Sequence, residues 1–139
     1  MVDVERNPTW LPVVAAAIRD EAGRLLLQLR PDGKHHAGLW EFPGGKVEIQ
    51  EDQRLALARE IEEELALTLD PTAMEPLGTA EEARQGTSPG IALQLYACPV
   101  WTGVPKGLEG QEFGWFSPAD AARLPLAPMD RRLLQELTG

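Results

Sequence analysis

Residues 45–67 read GKVEIQEDQRLALAREIEEELAL. From Asp52 to Leu67 this stretch contains neither glycine nor proline and is rich in good helix formers, so it predicts a helix. At about 100° per residue, Glu60, Glu63 and Glu64 fall within an arc of about 100°. Ala58, Ile61 and Leu65 take the neighbouring face, where they can pack on a sheet. Glu62 points roughly 160° from Glu64 and is expected in solvent. Like charges at these spacings cost a few tenths of a kcal/mol per pair, about 0.2–0.5, in a surface helix. Hard divalent cations relieve that repulsion, and carboxylate oxygens are the ligands Mg²⁺ prefers. Taken by itself, the run is better explained as a solvated acidic face, which is what most glutamate runs are.

The residues before the helix change the balance. Phe42-Pro43-Gly44-Gly45-Lys46 reads as a tight, glycine-rich turn that leaves a backbone carbonyl free to approach an ion. Glu51 lies near the helix start, where the dipole alone would favour a negative charge. Arg59 precedes Glu60 and carries a planar, permanently charged fork that can hold a carboxylate ionised and oriented.

Working outward, Trp10–Ile18 reads as a strand, Asp20–Gly23 as a turn, Arg24–Arg30 as the returning strand and Leu39–Phe42 as a short one. Two strands, Met74–Ala83 and Ile91–Trp101, follow the helix, and Glu112–Phe116 is the last. Ser117 and Pro118 open one helix and Pro128 another, Met129–Leu137. The order is not strictly βαβ, which predicts a mixed sheet flanked by helices.

The 139 residues suit a single domain, 1–139. Hydrophobic content of 43% and charged content of 25% are ordinary for a soluble protein. Trp10–Ile18 is too short to span a bilayer, so no membrane partner is expected. The start lacks the charge and apolar pattern of a signal peptide. Cys98 is alone, suits a reducing cytoplasm and reads as a core residue. The net charge of −9 argues against polymeric nucleic acid as a partner. A small phosphorylated ligand is still compatible with an acidic site if divalent metal bridges the two.

The stretch resembles the Nudix box, which runs Gly-x5-Glu-x7-Arg-Glu-aliphatic-x-Glu-Glu-x-Gly-aliphatic and is read here as Gly45, Glu51, Arg59-Glu60, Ile61, Glu63-Glu64, Ala66, Leu67. The one departure is Ala66 in place of glycine, expected to alter the helix exit modestly. Leu39–Lys46 is similar to the approach to the box in the MutT-like branch, the nucleoside triphosphate pyrophosphohydrolases. Arg30 matches a position that contacts substrate phosphate, Glu109-Gly110-Gln111 a segment whose glutamate lies at the metal site, and Pro128-Met129-Asp130 a segment whose last residue reads the base.

The resemblance implies an α/β fold, the Nudix-type α/β/α sandwich around a mixed β-sheet. It implies Mg²⁺, with Mn²⁺ as a substitute, held by the Gly44 carbonyl, Glu60, Glu63, Glu64 and Glu109. Catalysis would fall to Glu60, Arg59 and Glu63, with Glu60 as general base and Glu109 as the alternative. The reaction implied is nucleoside triphosphate plus water giving monophosphate and pyrophosphate, a cytoplasmic sanitation of the nucleotide pool that serves DNA repair. Arg30 would steady a phosphate, and Phe42, with Trp40, would line the base pocket unless both are core. His35 and His36 are a loop pair, exposed or gripping substrate. An ionised Asp130 only accepts hydrogen bonds, which favours the amino group of cytosine or the N1–H and N2–H edge of guanine and opposes the guanine O6; the reading leans to cytosine over oxidised guanine nucleotides. The box itself is shared with hydrolases of ADP-ribose, dinucleoside polyphosphates and capped RNA. A non-catalytic Nudix-like binding module is the alternative of another class, but such modules commonly lose box carboxylates that this chain keeps. Oligomeric state is not legible in the sequence.

Overall fold

The protein is described by a computed structural model for residues 10–30, 36–83, 86–87 and 89–138. In chain order the strands are β1 (Trp10–Ala17), β2 (Leu25–Leu29), β3 (Trp40–Glu41), β4 (Gly44–Lys46), β5 (Thr68–Leu69), β6 (Glu75–Glu82), β7 (Gly90–Ala97), β8 (Trp101–Thr102) and β9 (Phe113–Phe116). The helices are α1 (Gln53–Leu65), α2 (Pro118–Arg123) and α3 (Pro128–Thr138), with one 3₁₀ turn at Pro71–Ala73.

β1 organises the molecule. Val14, Ala16 and Ile18 face α1, and the intervening Ala15 and Ala17 face α3. Apolar residues at successive positions are what a strand covered on both faces requires. β1 pairs parallel with β7 and antiparallel with β4, and β6 adds antiparallel to β7, giving the mixed sheet β4-β1-β7-β6. β2, β3 and β9 form a second, antiparallel sheet, joined to the end of β1 by the Arg19–Leu25 bridge. Leu26 of β2 packs towards α1, whereas Leu25 and Leu27 pack towards α3. The layers are therefore α1, sheet, then α2 and α3, the sandwich expected from the resemblance.

α1 is narrower than the predicted Asp52–Leu67. Asp52 is its N-cap, accepting from the Arg54 and Leu55 N–H groups at 2.9 and 3.1 Å. Ala66 ends it in the left-handed conformation, φ 61°, with its N–H donated to the Glu62 carbonyl at 3.1 Å. Leu57, Ile61 and Leu65 are wholly buried, each worth about 1.5–3 kcal/mol of apolar burial. Glu62 is exposed, as its helical phase predicts.

Two strand expectations need correction. Pro43-Gly44-Gly45 is not a closing turn: Gly44–Lys46 is a strand, with Gly44 opposite Ala15 and Gly45 opposite Val14. Neither glycine has a positive φ, so their role is close approach. The Ile91–Trp101 strand stops at Ala97, because Pro99 has no N–H for the ladder. Trp101–Thr102 instead pairs with Thr68–Leu69, a strand the sequence did not reveal. Cys98 is buried and its thiol is pushed up to about 12 by burial, consistent with a core residue. Among the described residues no helix is long and apolar enough to cross a membrane.

Candidate active site

The site is built where α1 crosses β4. A Cβ on Gly45 would stand 2.4 Å from the Glu60 carboxyl, so the absent side chain is what lets that carboxylate lie against the strand. Arg59 fixes it from the other side. Its Nε and one terminal nitrogen donate to the two oxygens of Glu51, both at 2.9 Å. The other terminal nitrogen donates to Glu60 Oε1 at 3.0 Å and to Glu63 Oε2 at 3.4 Å. The Arg59 bonds hold the Glu51 carboxyl down at about 2, and those same bonds raise the Arg59 pKa. Glu51 thus acts as a clamp on Arg59, which in turn orients Glu60. Burial raises the pKa of Glu60; Arg59 opposes the rise, while Glu63 and Glu109 add to it.

Glu64 sits deeper. Burial pushes its carboxyl up to about 8, helped by the charges of Glu60, Glu109 and Glu41 and opposed by the Gln28 amide. Its Oε2 is buried with no hydrogen-bond partner among the described residues. Glu109 arrives on the loop before β9, which is tied to the C-terminal end of α1. Lys106 N–H donates to the Leu65 carbonyl at 2.9 Å, and Leu108 N–H and Gln111 Nε2 both donate to the Glu64 carbonyl at 3.0 Å. The loop therefore satisfies carbonyls that a helix end leaves unpaired, and in doing so carries a further carboxylate to the arc of Glu60, Glu63 and Glu64.

The opposite end of the site is set by β2, β3 and α3. Arg30 donates to Glu41 Oε1 at 2.7 Å and Gln28 Nε2 to Glu41 Oε2 at 3.1 Å. The Arg30 Nε is buried and without a partner among the described residues. β3 is clasped by the chain ahead of α3: Trp40 N–H donates to Pro125 O at 2.8 Å and Ala127 N–H to Trp40 O at 2.9 Å. That clasp brings Asp130, only 5% exposed, to the Phe42 N–H, which it accepts at 2.9 Å through Oδ1. Burial pushes Asp130 up to about 7, with Glu41 adding and the Phe42 bond opposing.

Gly44, Glu60, Glu63, Glu64, Glu109, Arg30, Phe42 and Asp130 all line one cleft of about 880 Å³. Among the described residues no three carboxylates already stand in cation-cage geometry. The donor set nonetheless fits a hard cation: acidic oxygens that raise one another's pKa, one of them buried and unpaired, in a chain of net charge −9.

The chain matches the family model for the NUDIX domain over residues 9–137. It is 42% identical over 122 residues to the CTP pyrophosphohydrolase of Escherichia coli, covering 88% of this chain and 87% of that protein. It is 34% identical over 130 residues to the 8-oxo-dGTP diphosphatase of Haemophilus influenzae, with 91% and 90% covered. The crystal structure of the MutT Nudix hydrolase from Burkholderia pseudomallei superposes with a TM-score of 0.82 at 30% identity, covering 92% of this chain and 98% of that one. The chain belongs to the Nudix family. It is a hydrolase of the MutT-like branch, and its architecture is that of the solved Nudix relatives.

Within the Nudix site, the residues named from sequence do not all stand in the same relation to the cleft. Arg59 lies behind it as a positioning residue, in contact with Glu51, Glu60 and Glu63 rather than with the cavity. Trp40 packs edge-on against Phe116, ring centroids 5.1 Å apart, and is part of the core beneath the site. His36 is half-buried and bonded to Glu82 at 2.8 Å; His35 falls outside the described residues. The cleft also contains Gln28, Glu41, Lys46, Glu82 and Gln111, which sequence reasoning did not single out. Gln28 carried a readable signal, as a polar residue inside the run Leu25-Leu26-Leu27-Gln28-Leu29. The role of Glu41 carried none, because Arg30 and Gln28 reach it only once β2 and β3 pair.

Proposed function

We propose that this Nudix hydrolase converts a nucleoside triphosphate and water into the monophosphate and pyrophosphate with Mg²⁺, and that it favours cytosine nucleotides. The observation that carries the reading is the buried, unpaired Glu64 oxygen beside Glu60 and Glu109, at one end of a cleft whose other end holds Asp130. Gly44, Glu60, Glu63, Glu64 and Glu109 are the residues that would hold metal. Bound Mg²⁺ would neutralise phosphate charge and lower the pKa of an attacking water. Glu60, oriented by Arg59, takes the proton from that water as general base. The Arg30 guanidinium, with its unpaired Nε–H, donates to a phosphate oxygen and balances its charge.

Asp130 reads the base, and its burial refines how. With its carboxyl pushed up to about 7, both protonation states are available near neutrality. The ionised form accepts from the cytosine amino group. The neutral form offers a donor beside an acceptor, the complement of the amino and N3 edge of cytosine. The name of the Escherichia coli relative, a CTP pyrophosphohydrolase, supports the cytosine preference. A role in removing damaged nucleotides is supported by the diphosphatase relatives named for 8-oxo-dGTP.

Purified protein incubated with Mg²⁺ and a panel of ordinary, oxidised and methylated triphosphates, separated by chromatography, tests this. The expected products are monophosphate and pyrophosphate, with cytosine nucleotides turned over fastest. Turnover of ADP-ribose with none of any triphosphate would overturn the assignment. Glu60→Gln and Glu109→Gln compared by kcat identify the base, whose loss should cost about 10²–10⁴-fold.

A further inference from the structure

We infer that the side-chain amides of Gln28 and Gln111 are a paired positioning device that couples the carboxylate end of the cleft to the Arg30 end, an inference that rests on the metal-binding reading above.

Gln28 is 6% exposed in the middle of a leucine strand. A buried amide is costly unless hydrogen-bonded, and a leucine there would fill the same space without that cost. What the amide gains is a set of partners on both sides of the site. Its Nε2 donates to Glu41 Oε2 at 3.1 Å, and Glu41 accepts from Arg30 through its other oxygen at 2.7 Å. Its Oε1 accepts from Gln111 Nε2 at 3.3 Å. The same Gln111 nitrogen donates to the Glu64 carbonyl at 3.0 Å, and Gln111 Oε1 accepts the Glu109 N–H at 3.0 Å.

The chemistry of the end groups fixes the direction of this chain. An ionised carboxylate only accepts, so Gln28 must turn its nitrogen to Glu41 and its oxygen away. A backbone N–H only donates, so Gln111 must turn its oxygen to Glu109 and its nitrogen to Gln28. The two amides meet donor to acceptor, and neither can flip without breaking bonds at both ends. Arg30, just after β2, and Glu41 on β3, with Glu64 on α1 and Glu109 on the loop tied to it, are thereby held in one register. Groups that hold and orient metal ligands from behind typically contribute 10–100-fold to metal affinity or activity.

The test uses Gln28→Met, Gln111→Met and the double variant, since methionine keeps length and volume but removes the amide. Mg²⁺ affinity is measured by calorimetry without substrate, and KM is measured for the best triphosphate. Each single variant is expected to weaken Mg²⁺ binding and raise KM by about 10-fold. The double variant should be no worse than the worse single one, because either substitution already breaks the link. Additive losses in the double variant overturn the coupling, as does a shift confined to Mg²⁺ or to KM. A fall in melting temperature with both constants unchanged leaves only a structural role and also overturns it. If Gln28→Met does not fold, Gln111→Met, on the less buried side of the link, carries the test. Should the wild type bind Mg²⁺ but hydrolyse no triphosphate, the proposed reaction fails while the Mg²⁺ comparison still judges the amide pair. Absence of Mg²⁺ binding by the wild type overturns both.

Discussion

Gly44 and Gly45 are adjacent, lack side chains for different reasons and should fail differently. A Cβ on Gly44 would meet the Val14 carbonyl oxygen at 1.9 Å, which is backbone and cannot move without parting β1 from β4. The atoms nearest a Cβ on Gly45 all belong to the Glu60 side chain, which can swing away. Gly44→Ala is therefore expected to destabilise the fold by about 3 kcal/mol in urea titration. Gly45→Ala should leave stability within about 1 kcal/mol while lowering kcat about 100-fold, because Glu60 has to leave its place. Equal stability losses for the two would refute this division. Asp130 makes a second prediction at this scale. Its carboxyl keeps a proton up to about 7 in the folded chain, against an ordinary value of 3.8. Between those values the folded state binds the proton more tightly than the unfolded one, so its contribution to stability is full at low pH and falls as pH rises through that window. Asp130→Asn keeps an acceptor for the Phe42 N–H and does not titrate. Melted without metal, it should gain on the wild type from about pH 4.5 to about pH 8.5. A gap that is constant or shrinks would show that Asp130 is not held protonated.

α1 is the element in which the family pattern and this chain diverge. Its exit requires the left-handed conformation, which Ala66 adopts at φ 61°, and for a residue with a Cβ this conformation costs about 1–2 kcal/mol. Ala66→Gly should raise stability by about 1 kcal/mol and the melting temperature by roughly 3 °C. An unchanged or lower melting temperature would mean that the exit is relaxed as it stands. The body of this helix was legible beforehand: freedom from glycine and proline marked it, and the 100° arc separated Glu60, Glu63 and Glu64 from Glu62. β4 was not legible, because glycine signals both a positive φ and a close approach, and only the folded backbone distinguishes the two. The clasp on β3 and the Asp130–Phe42 bond, 88 residues apart in sequence, were equally invisible, since nothing local records a partner that the fold supplies. The resemblance located Asp130 and Glu109 in the site, but not the amides and loop carbonyls that hold them.

At the scale of the whole molecule, the acidic cleft sets function against stability. The chain carries a net charge of −9, and one of its site carboxyls, Glu64, is pushed up to about 8 by burial and by three other carboxylates. Above that pH, and without a cation, the fold retains a buried charge that the unfolded chain would release to water. A ligand that binds only the folded state reverses this, stabilising it by about 2.7 kcal/mol at 100 times its dissociation constant. At about pH 8.5, Mg²⁺ should therefore raise the wild-type melting temperature by roughly 5–10 °C. Glu64→Gln removes both the penalty and the ligand. Metal-free, it should melt above the wild type at that pH, and Mg²⁺ should move it far less. Glu62→Gln is the control, because Glu62 is exposed on the far side of the helix and should keep the full response. If Mg²⁺ shifts Glu64→Gln as much as the wild type, the cation binds elsewhere on the acidic surface and the buried oxygen of Glu64 is not its ligand.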